Sequence, residues 1–354
     1  MTAHPSKVLV AMSGGVDSSV AAALLLEAGH EVVGATLKLW GGPADSGCCS
    51  VADVDDARRV AQQLSIDHFT FGFGDDFEAS VVAPYVAAHA AGLTPNPCVE
   101  CNRSIKFDRL LQRAHTLGFD VIATGHHARV DRDPVTGVWR LRRGADAAKD
   151  QSYVLHMLGQ AQLARTLLPV GSMTKGEVRD RAAALGLRSA GKPDSQDVCF
   201  ITATGGRTAF LSDRIALTPG RVVDAGGTEV GSVEAVELVT IGQRRHLGLA
   251  GGGTPRYATD VDVGGATVTV GEARDLLVEG LSLRDVTWVD RPVTGEVEVQ
   301  CSAHGRPRAA TLTGDVLRWH EPQPRVAPGQ SVVLYRGDTV LGGGPAAAGP
   351  VTGD

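Results

Sequence analysis

Apolar residues in the first half of the chain fall into short runs separated by amphipathic stretches. KVLVAM (7–12) is an apolar run of strand length, and SSVAAALLLEAG (18–29) has helical length and ends at Gly29, a residue suited to the turn after a helix. EVVGATLKLW (31–40) predicts the next strand, and VADVDDARRVAQQLS (51–65) an amphipathic helix followed by DHFTFGFG. SIKFDRLLQRAHTLG (104–118) predicts a helix and DVIATGHHARV (120–130) a strand. Strands alternating with helices imply a parallel sheet with helical crossovers.

Past about residue 205 the pattern changes. Short β-like runs are cut by Gly and Pro, as in RVVDAGGTEVG, PRYATDVDVGGATVTVG, GEVEVQCSAHG and QSVVLYRGDTVLGGG. Helical periodicity almost disappears, which predicts small β-barrel or sandwich domains. The division expected is an α/β domain over 1–204, a central β-rich domain over 205–272, a C-terminal β-barrel over 273–345 and a disordered tail over 346–354.

A chain of 354 residues, 43% hydrophobic and 21% charged, can bury a sizeable core, which excludes wholesale disorder. Its 34 basic and 40 acidic residues give a charge of −6, so bulk positive charge cannot hold a nucleic acid or membrane; a local basic patch is still allowed. No apolar stretch is long enough for a membrane span, and MTAHPS does not open a signal peptide. A cytoplasmic location is therefore expected. In a reducing cytosol the six cysteines read as reactive, metal-binding or buried residues and not as structural disulfides.

The strongest local signal is VLVAMSGGVDSSVAA (8–22), a strand running through a Gly-rich turn into a helix. Gly14 and Gly15 let backbone N–H groups converge on an anion, and Ser13, Ser18 and Ser19 add hydroxyls. The helix start contributes partial positive charge. The loop lacks the lysine of G-x-x-x-x-G-K-[ST] and is not G-x-G-x-x-G. SGGVDSS resembles the pyrophosphate-loop ATPases, which adenylate a substrate and release pyrophosphate; in that resemblance Asp17 helps position the Mg2+-pyrophosphate group.

TPNPCVECNRSIKF (94–107) sets Cys98 and Cys101 at the spacing of metal ligands or a redox pair, or of two incidental thiols in a proline-stiffened turn. Cys101 is expected at a helix N-terminus close to Arg103 and Lys106, an environment that favours its thiolate. Cys199, in GKPDSQDVCFIT, taken alone reads as a core cysteine. Cys48 and Cys49 read as structural and Cys301 as buried.

The order SGGVDSS, TPNPCVECNRSIKF, ATGHHARV, KDQSYVLH, DSQDVCFI, TIGQRRHLGL closely resembles the bacterial-type tRNA-specific 2-thiouridylases over residues 7 to 340. The resemblance implies an adenine nucleotide alpha-hydrolase-like domain followed by two β-rich ones. It implies ATP bound with Mg2+ by Ala11, Met12, Ser13, Gly14, Gly15, Val16, Asp17 and Ser18, flanked by Leu37 and Gly125. It also implies adenylation of the wobble uridine 2-carbonyl oxygen in tRNAs for Lys, Glu and Gln. Sulfur would arrive as a persulfide on Cys199, relayed from a cysteine desulfurase, with Cys101 as the nucleophile and a transient disulfide between the two.

The family's target-base contact maps to Asn96, Pro97 and Cys98, and its other tRNA contacts to His126, Lys149, Asp150, Gln151 and Gln330. Read without the family, His126 and His127 form a strand-end pair stabilising a turn. The chain departs from the family in two places. Cys98 stands where an aspartate is usual, so Cys98, Cys101 and Cys199 could instead hold a 4Fe-4S cluster whose open iron carries the sulfide. The C-terminal Arg-Tyr pair is replaced by Ser302 and Ala303, with His304, Arg306 and Arg308 nearby as substitutes. The basic runs at Arg140, Arg142 and Arg143 and at Arg244 and Arg245 read as solvated surface or, following the family, as phosphate-binding patches. Two rival readings are an amidotransfer synthetase, for which no glutaminase module is evident, and a redox protein, which leaves SGGVDSS without a role.

Overall fold

The computed structural model describes residues 5–39, 51–194, 198–202, 206–250 and 253–349. Cys48 and Cys49 lie outside the described residues, as does the side chain of Cys199. In the first domain, β1 (Lys7–Ala11), β2 (Glu31–Lys38), β3 (His68–Gly72) and β4 (Val121–Thr124) are parallel. The chain then forms a hairpin, β5 (Ala128–Arg132) and β6 (Trp139–Arg143), before β7 (Thr166–Leu167) joins the first sheet in the order β3-β2-β1-β4-β7. Val8 and Val10 face one apolar layer with Val20 and Ala21, while Leu9 faces another with Phe107 and Ile122. Burial on both faces explains why β1 reads as a continuous apolar run.

The order reverses at β1, with β2 on one side and β4 on the other. Ligand sites of open parallel sheets form outside the strand C-termini at such a switch point. The loop after β1 lies there and leads into α1 (Val16–Glu27). The helix α2 (Val51–Gln63) follows β2.

The second sheet holds β8 (Gly220–Asp224), β9 (Glu229–Val233), β10 (Tyr257–Asp262) and β11 (Thr267–Gly271), in the order β10-β11-β8-β9. The third holds β12 (Leu277–Ser282), β13 (Thr287–Trp288), β14 (Gly295–Gln300), β15 (Arg308–Thr313), β16 (Val316–Pro324), β17 (Ser331–Arg336) and β18 (Thr339–Pro345). Its order is β12-β16-β15-β14-β17-β18-β6-β5, with β13 paired to β18. Thus the strand expected over 120–130 is two strands in two different sheets. The chain leaves the first sheet at Gly125–His127, and its hairpin completes the C-terminal sheet.

That crossing changes the reading of WRLRRG. Arg140 pairs with Asp131 and Asp133, Arg142 with Asp131 and Asp338, and Arg143 with Asp150. Arg129 also reaches Asp338. This basic run is neutralised within the protein and clamps the hairpin to the turn between β17 and β18, so it is not an open phosphate-binding patch. Expected tail residues also differ: Ala346 is 1% exposed and bridges Leu283, while residues 350–354 lie outside the described residues. Among the described residues no helix is long and apolar enough to cross a membrane.

Leu141 of β6 is fully buried in an apolar cluster that also contains Leu155, Val333, Tyr335 and Val340. The hairpin is therefore core and not an appendage. Leu141→Ala should cost about 2–5 kcal/mol in urea denaturation; a loss below about 0.5 kcal/mol would mean a peripheral arm.

Candidate active site

The phosphate loop is built by local necessity. Gly14 has φ +72°, and a Cβ there would lie 2.5 Å from the Asp53 carbonyl oxygen. Gly15 is the extended N-cap of α1. The hydroxyls of Ser18 and Ser19 are buried and donate to the Gly15 carbonyl at 3.2 and 2.8 Å. They stiffen the turn, leaving the exposed Ser13 as the expected hydroxyl that faces outward. Met12 and Val16 are buried, so their side chains pack inward; the Met12 N–H donates to Ala35 and its carbonyl accepts from Thr36. Leu37 and Gly125 lie at the C-terminal ends of β2 and β4, flanking the loop.

Asp17 stands in the first turn of α1. Lys175 Nζ donates to both of its carboxylate oxygens at 2.7 Å, and His127 Nε2 lies 3.0 Å from Oδ1. Burial pushes the Asp17 carboxyl up, but the hydrogen bonds from His127 and Lys175 outweigh it and hold the group below its usual range. Lys175 is placed by a capping box, Thr174 with Glu177, which opens the helix Lys175–Ala184.

The same ammonium reaches Asp194 at 2.9 Å, where Lys149 and Arg179 also converge at 2.8 and 2.7 Å. Burial raises the Asp194 pKa, yet Lys149 and Lys175 bring it down to about 2. Lys192 pairs with Asp53 and Asp56 on α2, beside Gly14. Sequence reasoning missed Lys175, Asp194, Lys192 and the role of His127. The T-x-x-E capping pattern at Thr174 is the one local signal that could have flagged Lys175.

The cysteine segment departs from expectation in one respect. The helix starts at Pro97, and Asn96 caps it, its Oδ1 accepting from the N–H groups of Cys98 and Val99 at 3.1 and 3.4 Å. Helical turns run on through Cys101–Arg109 and Leu110–Thr116. Cys101 is therefore a full turn inside the helix, and its N–H is already bonded to the Pro97 and Cys98 carbonyls. The helix N-terminus favours Cys98, which is exposed, while Cys101 is half-buried. Arg103 pairs with Glu100 and donates to Thr287. Cys301 is half-buried, and burial pushes its thiol up to about 12.

The Gly125–His127 segment joins the two halves of the site. A Cβ on Gly125 would lie 2.5 Å from the Ser18 nitrogen, so only glycine lets the end of β4 press on the start of α1. From there His127 reaches Asp17, while the His126 ring packs 5.9 Å from Phe107 of the cysteine helix. Burial first, then Lys106 and His127, hold the His126 imidazole well below its ordinary pKa and thus neutral.

The expected tRNA contacts divide by exposure. Cys98 and Gln151 are exposed, and Lys149 is partly so. His126 and Pro97 are buried, and the Asp150 carboxylate accepts from Gly144, Ser152 and Arg143 and is internal. Gln151 binds the His127 backbone in both directions at 2.9 Å. Gln330 donates to the Cys301 carbonyl at 2.6 Å. Ser302, Ala303, His304 and Arg306 are exposed in the connection before β15, and Arg308 is exposed at the start of that strand. Among the described residues no group of three or more His, Cys, Asp or Glu side chains could hold a metal ion.

A family model described as a tRNA methyl transferase HUP domain matches residues 6–203, a PRC-barrel model 208–272 and an aminomethyltransferase β-barrel model 278–346. A tRNA-specific 2-thiouridylase MnmA of Chloroflexus aurantiacus (strain ATCC 29366 / DSM 635 / J-10-fl) is 46% identical over 352 residues, covering 96% of this chain and 98% of that one. The protein of that name from Mycobacterium avium (strain 104) is 47% identical, covering 95% and 97%. This chain belongs to the tRNA-specific 2-thiouridylase family. Among solved structures, the U34-tRNA thiolase NcsA from Methanococcus maripaludis with its [4Fe-4S] cluster is 18% identical, with a TM-score of 0.36, covering 59% of this chain and 64% of that one.

The depressed pKa of Asp194 fixes a sign. A carboxyl lowered on folding stabilises the protein fully above its unfolded pKa of about 3.8, and that stabilisation is lost as pH falls through about 2. Asp194→Asn should lower Tm most above about pH 4, and the difference from the native chain should vanish towards pH 2. A difference independent of pH would show that the ion cluster does not act through the charge of Asp194.

Proposed function

We propose that this protein is an ATP-dependent tRNA thiolating enzyme that converts the wobble uridine of tRNAs for Lys, Glu and Gln to 2-thiouridine. The observation that carries the reading is the Gly125–His127 bridge, which ties a phosphate loop to a cysteine-bearing helix. The N–H groups at Gly14–Ser18, the Lys175 ammonium and the Asp17 carboxylate form a donor set suited to ATP with Mg2+. When bound, Mg2+ neutralises charge on the pyrophosphate leaving group. Because Lys175 neutralises Asp17 here, entry of the polyphosphate exchanges that ammonium from carboxylate to phosphate.

The uridine 2-carbonyl oxygen attacks the α-phosphorus, pyrophosphate leaves, and the oxygen becomes part of AMP, a good leaving group. The terminal sulfur of a Cys199 persulfide, delivered by a relay from a cysteine desulfurase, then attacks C2 and expels AMP. The Cys101 thiolate attacks the Cys199 sulfur, releasing 2-thiouridine and leaving a Cys101–Cys199 disulfide. The sulfur gains the two electrons the thiols lose, and a cellular dithiol reduces the disulfide in the reducing cytoplasm. Asn96, Pro97 and Cys98 line the approach of a flipped base.

A second reading, favoured by the exposed Cys98 one turn before Cys101, sets a 4Fe-4S cluster on Cys98, Cys101 and Cys199 as sulfide carrier. Iron and sulfide counts on anaerobically purified protein separate the two: an iron-free, fully active enzyme removes the cluster.

The main test is the mobility of tRNA from a strain lacking this protein on a mercury-containing gel. Loss of retardation for the Lys, Glu and Gln tRNAs is expected, and retained retardation refutes the reading. With purified protein, Cys199→Ala should lose thiolation but still accumulate adenylated tRNA. Asp17→Ala and Lys175→Ala should form neither. Absence of adenylate in the Cys199 variant as well would count against the order of steps.

A further inference from the structure

We infer that the loop joining Val239 to β10, TIGQRRHLG (240–248), is a preformed grip for the phosphate backbone of RNA. The inference rests on the reading of tRNA as substrate and names a surface for it in the central domain. Arg244, Arg245 and His246 are consecutive and exposed, and among the described residues none has an ion pair or a side-chain hydrogen bond. The other basic run behaves oppositely, since Arg140, Arg142 and Arg143 are each paired with a carboxylate of this chain.

The loop beneath these cations is pinned. Gln243 Oε1 accepts from the Thr240 N–H at 3.2 Å, and its Nε2 donates to the Arg245 carbonyl at 2.8 Å. The Gly242 N–H donates to Ala258, whose own N–H donates to Gln243, so the loop is stitched to β10. Leu247 anchors the far side at 2% exposure. His246 takes φ +58°, a costly conformation for a residue with a Cβ.

The backbone is thus ordered at some expense, while the three side chains it presents contribute nothing visible to the fold. Holding them in place beforehand lowers the ordering cost of binding. Two adjacent guanidinium forks suit phosphate oxygens better than isolated carboxylates, and the proposed substrate is a polyanion. The loop also begins beside the catalytic domain, since Leu238 packs against the apolar cluster that holds Tyr85 and Phe107. Arg244 is six residues from Leu238, at most about 20 Å of extended chain.

The test is filter binding of unmodified tRNA to the full-length protein between about 50 and 200 mM salt, comparing the native chain with Arg244→Ala/Arg245→Ala. The variant should bind about tenfold more weakly at low salt, with a log–log salt slope smaller by about 2. Its Tm and ATP affinity should be unchanged. If the alanine pair unfolds, Arg244→Gln/Arg245→Gln carries the same expectation. Unchanged tRNA affinity and slope overturn the inference. Unchanged tRNA binding together with lost thiolation from a persulfide-carrying protein, but not from free sulfide, would assign the loop to an acidic protein partner and also overturn it. A native chain that neither binds nor thiolates tRNA would instead refute the function on which the inference rests, a result distinct from any defect confined to the variant.

Discussion

The bare Cα of Gly125 against the first turn of α1 is the contact on which the site depends. A side chain there would collide with the Ser18 nitrogen and the Asp17 backbone. Without one, the end of β4 lies close enough for His127 to reach Asp17. The same approach ends the strand. The chain leaves the first sheet within three residues and starts again as β5 in another sheet. One steric fact therefore sets the electrostatics of the phosphate loop and ties the catalytic domain to the C-terminal barrel.

The charges around the loop form one chain of contacts. Lys175 stands between Asp17 and Asp194, and Asp194 also holds Lys149 and Arg179. Two partly buried carboxylates would repel an incoming polyphosphate if left alone. Shared ammonium and guanidinium groups remove that repulsion and keep cations within reach of the site. Lys149 pairs with Asp194 and Gln151 accepts from the His127 N–H, so the Lys149–Gln151 segment is tied into the same chain of contacts.

Legibility followed sequence distance. The strand, SGGVDSS turn and helix were readable because the hydroxyl contacts that close the turn lie within a few residues. The β-rich second half was readable from its short runs and turn residues. The Asp17 partners were not, since His127 and Lys175 lie 110 and 158 residues away, and the capping pattern at Thr174 marks a helix start without saying what Lys175 meets. Register errors were local: Asn96, not Cys101, marks the helix start, because its side chain caps the Pro97–Glu100 turn. The hairpin misled most. Its arginines look like a nucleic-acid patch until Asp338, about 200 residues away, is folded against them.

This last point bears on how an acidic chain handles a polyanion. With a net charge of −6, attraction cannot come from the whole surface, which repels RNA weakly at long range and is screened over about 10 Å at 0.1 M salt. What counts is which cations lack an internal carboxylate. An arginine already paired gains little from a phosphate, because the exchange leaves its carboxylate uncompensated near a second anion. An exposed, unpaired arginine on a fixed loop gains the full contact. Counting basic residues therefore misjudges this protein in both directions: it overrates WRLRRG and underrates GQRRHLG, and only the placement of the acidic partners separates them.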